Sequence, residues 1–180
     1  MIFLEVLMNR IERLRRTALL CCHFVRNYAY YRGGWVDGIS MANNKFWITV
    51  QNNFLDISIL EWMKLFGSYT DKHHWTKIIR DSETFKVKML DYCNLSEGEF
   101  NKDRENIKKY RDKFVGHLDS EKVMNIPKLH NALNTVKYYY KCVYVELPFD
   151  SRFHLPSDLE EYYDNCLYDS KSVFQSIKGM

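Results

Sequence analysis

The stretch Ser96–Leu118, SEGEFNKDRENIKKYRDKFVGHL, decides the fold class. Ser96 followed by Glu99 is the pattern of a capping box, in which each side chain satisfies the other's free backbone N–H. Phe100, Ile107, Phe114 and Leu118 then recur at helical spacing. The pattern predicts a helix running to about Val115, with Gly116 in the left-handed stop position. Arg111 is the odd residue. At about 100° per residue it falls inside the apolar stripe, where an unpaired charge is costly. It therefore needs an acid, a phosphate or a partner chain.

Working outward, the same periodicity covers most of the chain. Leu4, Leu7, Ile11, Leu14, Ala18, Cys22, Val25 and Ala29 fall on one face of a first helix over about 3–31, which stops near Gly33 and Gly34. A polar connector, 37–44, follows. The segment 45–66, ending at Gly67, is apolar nearly all round, which suits a helix in the middle of a domain or at a subunit contact. Its acids Asp56 and Glu61 are candidates for partial burial. Short helices are expected near 72–79 and 82–92. Pro127 suits the first turn of another helix, which Pro148 ends. Ser157 with Glu160 repeats the capping-box pattern and opens a last helix to about Ile177. No strand-like alternation of useful length and no internal repeat is evident. The expectation is an all-α antiparallel bundle of four-helix type over 1–150, with short additional helices and a C-terminal helical extension, 151–180, packed on it.

Composition is consistent with this. The 180 residues are 46% hydrophobic and 16% aromatic, enough to fill one substantial core, and only 7 Gly and 3 Pro interrupt them. The net charge of +3 permits contact with an acidic polymer without demanding it. Five cysteines, with no CxxC pair, read as reduced thiols rather than a disulfide frame or zinc site. The apolar start, 1–8, contains Glu5 and precedes its basic cluster, the reverse of a secretory signal. No apolar run approaches the roughly 20 residues that span a bilayer. A cytoplasmic protein without membrane contact is expected. There is no HExxH and no glycine-rich phosphate loop, so neither metal hydrolysis nor nucleotidyl transfer is favoured, and no cofactor is expected.

The chemistry rests on Arg111 and His117. Arginine can hold a phosphate through paired hydrogen bonds and offset charge developing on its oxygens. Histidine titrates near neutrality and can take a proton from a ribose 2′-hydroxyl or return one to the leaving oxygen. RNA carries its own nucleophile, so no metal is required. Residues six apart diverge by about 120° on an ideal helix, so the pair converges only if the helix ends between them or a second subunit completes the site. The plain alternative pairs Arg111 with Asp56 or Glu61, and leaves His117 as a cation at a helix C-terminus. His73 and His74 read as a solvated or loosely packed pair. Tyr138, Tyr139, Tyr140 and Tyr144 could stack on bases, but at helical spacing they read better as core or dimer contact.

The string Arg111-Asp112-Lys113-Phe114-Val115-Gly116-His117-Leu118-Asp119 resembles the Arg-x(4–6)-His signature of HEPN domains, and most resembles their abortive-infection AbiU-type branch. The stretches 24–32 and 54–62 point the same way. The resemblance implies a helical homodimer whose two motifs meet at a cleft, and a metal-independent endoribonuclease of phage-defence or toxin–antitoxin type. The family's inactive members, which act as binding modules for proteins or nucleotides, are the alternative. Carried over by position, Arg111 would bind and stabilise phosphate, His117 would be the acid and base, and Asp112 the polar companion that orients the site. Arg104, Lys108 and Lys113 are candidate RNA contacts beside it, with plain surface charge the simpler reading of Arg104. The expected partners are RNA, a second copy of the chain, and an antitoxin or other protein.

Overall fold

A computed structural model of the chain describes residues 2–115 and 125–177, with side chains from residue 9 onward. The fold is all-α. Helix α1 (Ile2–Gly33) is its spine, and α2 (Lys45–Trp62), α6 (His130–Glu146) and α7 (Leu159–Ile177) lie against it. The shorter α3 (Trp75–Ile78), α4 (Ser82–Tyr92) and α5 (Glu97–Tyr110) complete the bundle. Among the described residues no helix is long and apolar enough to cross a membrane.

The periodicity of α1 has the expected outcome: Leu14, Ala18, Cys21, Cys22, Val25 and Ala29 are buried in the core. The centre of that core is aromatic. Trp62 stacks on Phe66 with ring centroids 5.3 Å apart, Phe66 meets Tyr139 edge-on at 5.6 Å, and Phe85 joins Tyr139 at 5.5 Å. Burial of each such ring is worth roughly 1.5–3 kcal/mol. Two polar groups at this centre are paired: Trp62 Nε1 donates to Thr135 Oγ1 at 3.2 Å, and the Tyr139 hydroxyl donates to the His73 carbonyl at 3.1 Å. Tyr139 and Tyr140 are therefore core residues, as their spacing favoured, and are not available to stack on bases.

The two glycines at the end of α1 serve close packing. A Cβ at Gly33 would lie 2.5 Å from Ser170 Cβ and 3.0 Å from Lys171 N, with Ser170 Oγ nearer still. One at Gly34 would lie 3.0 Å from Gln51 Cδ and Phe174 Cζ. They let α1 approach α7 and α2 at the crossing point.

Some boundaries differ from the sequence reading. The polar connector holds a two-residue hairpin, β1 (Trp35–Val36) paired with β2 (Ile39–Ser40), turning through Asp37 and Gly38 with φ of 50° and 78°. Helix α6 starts at His130, not at Pro127, and takes Leu129 as its N-cap. The second anticipated capping box does not form. Asp158 serves instead, its carboxylate accepting from Glu160 N at 2.7 Å and its carbonyl from Tyr162 N at 3.2 Å. Helices α2 and α5 both finish in a π-helical turn, Met63–Gly67 and Arg111–Val115. Finally, α2 is not enclosed: Phe46, Ile57 and Leu60 face solvent while Leu55, Ile59 and Trp62 face the core.

Candidate functional site

The capping box that starts α5 is present, with Ser96 N donating to Glu99 Oε2 at 2.8 Å and Glu99 N to Ser96 Oγ at 3.2 Å. Phe100, Ile107 and Tyr110 anchor the helix in the core, and Lys102, Lys108 and Lys109 project from its other side. This amphipathic seating brings Arg111 to the end of the helix at the edge of the core, its side chain 28% exposed.

There the backbone widens into the π turn, so all five side chains from Arg111 to Val115 are half-buried. A π turn winds an extra residue into the helix, and such turns recur at functional sites. Among the described residues the partner of Arg111 is its neighbour Asp112, whose Oδ1 accepts from Nε at 2.7 Å and from Nη2 at 2.5 Å. The acids that sequence spacing offered as internal partners are engaged elsewhere. Asp56 accepts from the Tyr110 hydroxyl at 3.1 Å, and Glu61 takes Lys64 on both oxygens at 3.2 Å. Burial raises the Asp56 carboxyl above its ordinary range, with the Tyr110 hydrogen bond opposing. Burial also pushes the Tyr110 phenol up, and the adjacent Asp56 adds to it.

His117, with Gly116, Leu118 and Asp119, lies outside the described residues. Lys108 is exposed and Lys113 half-buried. Arg104 is half-buried, donating to the Tyr69 hydroxyl at 2.9 Å with its guanidinium over that ring at 5.6 Å. Beside Tyr110 and Phe114 a hollow of ≈370 Å³ opens between α5 and residues 125–128, with Asp103, Lys109 and Lys128 among its walls. A second hollow, ≈450 Å³, shares Ile126, Pro127 and Lys128 and adds Tyr31, Arg32 and His130. Lys128 and His130 carried no motif in the sequence, and Arg32 only closed the stretch 24–32; the fold brings the three together.

Other chemistry-bearing groups are less suited to a reaction. Burial pushes the Cys22 thiol to about 12 and the Cys93 thiol to about 11, so neither forms a thiolate near neutrality. His74 is not solvated, in contrast to the sequence reading. It is wholly buried, its Nδ1 accepts from Thr76 N at 3.3 Å, and burial lowers it from 6.5 to about 4 against a smaller opposing effect of the Phe66 carbonyl. Among the described residues no group of three or more His, Cys, Asp and Glu side chains gathers closely enough to hold a metal ion. Comparison with protein-family models, with curated proteins and with solved structures returns no match.

Proposed function

We propose that this chain is a HEPN-like protein of the abortive-infection kind, and that it cleaves RNA without a metal through Arg111 and His117. The observation that carries the reading is the state of Arg111: partly exposed at the end of α5, and held by adjacent Asp112 rather than by Asp56 or Glu61. In the proposed reaction the ribose 2′-oxygen attacks phosphorus as His117 removes its proton. The 5′-oxygen of the next nucleotide leaves and is protonated, and a 2′,3′-cyclic phosphate remains. Arg111 offsets charge on the non-bridging oxygens. Asp112, by holding the Nε edge, fixes which end of the guanidinium meets them. For the homodimer expected of such a protein, Ile57 and Leu60 are candidate contacts, solvent-facing on α2, the helix that packs against the π turn carrying Arg111.

The contact between Arg111 and Asp112 also supports the alternative, a non-catalytic binding module in which that charge is simply compensated. One experiment separates the two. Purified protein is incubated with RNA in chelator, and the ends of the products are identified. The nuclease reading expects cyclic phosphate ends from the wild type and loss of cleavage in Arg111→Ala and His117→Ala. Equal cleavage by wild type and variants, or none by the wild type, refutes it.

A further inference from the structure

The basic residues near the start of α1 lie far in sequence from Arg111, and the fold gives them a counterpart. Arg10, Arg13 and Arg16 recur every third residue along one flank of α1 and face Lys72, His73 and Lys77 across a cleft of ≈700 Å³. Arg13 is held there by neutral acceptors, Nη2 donating to the Lys72 carbonyl at 3.2 Å and the Lys77 carbonyl at 3.4 Å. Its charge is positioned but not cancelled. Arg10 donates to the Ile78 carbonyl at 3.2 Å and to Glu146 at 2.5 Å. Arg16 pairs with Glu12, and His73 lies 3.5 Å from Asp71. Lys72 and Lys77 are exposed, and the structure gives neither an acidic partner among the described residues. Among the described residues, those three carboxylates leave the cleft with an excess of positive charge.

We infer that this cleft, formed by α1 and residues 72–78, is a second anion site that takes the phosphodiester backbone of single-stranded RNA. The inference rests on the reading of RNA as the substrate. Two features favour phosphates over an acidic protein. Protein docking surfaces are anchored by exposed apolar or aromatic side chains at their centre, whereas the apolar lining here, Leu14 and Ile78, is buried beneath the cations. A row of guanidinium groups, with Arg13 free of any carboxylate among the described residues and exposed lysines opposite, is suited to successive phosphate oxygens, and basic grooves of this kind track nucleic-acid backbones. The cleft shares no lining residue with the hollows beside α5, so it would hold RNA beyond the cut.

The test is binding of a fluorescein-labelled single-stranded RNA, followed by anisotropy across a salt series. The full chain carries Arg111→Ala so that the probe is not consumed. Adding Lys72→Gln and Lys77→Gln should weaken binding about tenfold at low salt and lower the slope of log K against log salt by about 1.4, or about 0.7 for each phosphate no longer neutralised. Lys86→Gln, on α4, should change neither. Unchanged affinity and slope in the double variant, or no RNA binding at all, overturns the inference. So does equal displacement of the RNA by poly-glutamate at matched charge, which would mark the cleft as a site for acidic protein. A wild type that cleaves RNA, with binding indifferent to Lys72 and Lys77, refutes this inference alone. A wild type that binds through them without cleaving refutes only the nuclease reading.

Discussion

Replacing Gly33 by alanine tests whether the crossing of α1 and α7 is as close as described. The new methyl would meet Ser170 Cβ at 2.5 Å, well inside any real contact, and Lys171 N at 3.0 Å. Rotating the Ser170 hydroxyl away relieves only part of this, because Cβ stays in place, and it breaks the 2.9 Å bond from Ser170 Oγ to the Tyr30 carbonyl. Overpacking of this kind costs about 1–3 kcal/mol, and the broken hydrogen bond about 1 kcal/mol. Against these, alanine gains up to about 1 kcal/mol over glycine in a helix, less at its last residue. The net is a destabilisation of about 2 kcal/mol. It is measured as a lower urea midpoint at unchanged m-value, with Tm down by about 4–8 °C. Ser170→Gly in the same chain should remove the clash, so the double-mutant cycle should show favourable coupling of at least about 1 kcal/mol. A neutral or stabilising Gly33→Ala, or additive single variants, would refute the reasoning.

Two further outcomes follow from buried polar groups. The unfolded chain protonates His74 near 6.5, while the folded chain resists until about 4. Stability should therefore be full above about pH 6.5 and fall as pH drops toward 4, by at most about 3 kcal/mol. Urea midpoints across that range should slope less in His74→Gln, and an identical slope would exclude His74 as the source. Thr135→Val would leave the buried Trp62 indole N–H without its acceptor and should cost about 1–3 kcal/mol by urea denaturation, whereas Thr135→Ser, which keeps the oxygen, should cost less.

The sequence was most informative where local chemistry decides local structure. The Ser96 capping box and the limits of α4 are where side-chain pattern placed them, because each depends on residues within one or two turns. The same logic misplaced the starts of α6 and α7. Pro127 is compatible with a first turn but does not compel one, and Asp158 outcompeted Ser157 for the same backbone N–H groups. The burial of His74 was not legible, since it follows from the packing of Tyr69 and Trp75 against its ring. At the candidate site the sequence singled out Arg111 but not its orientation, which depends on the widened turn and on Asp56 being taken by Tyr110. The basic cleft was out of reach, because Arg13 and the Lys77 carbonyl it binds are 64 positions apart.

The widened turns at the ends of α2 and α5 have a consequence for how the chain tolerates change in length. Each holds one residue more than an ordinary turn, and removing that residue would let the helix close up again with its exit direction nearly unchanged, because the widened turn already takes up the extra residue's rotation. A deletion within Met63–Gly67 would therefore leave the segment that carries Lys72 and Trp75 on nearly the same course, and one within Arg111–Val115 would turn the end of α5 into ordinary helix. These two joints can thus absorb the loss of a single residue without rebuilding the helices that lead into them.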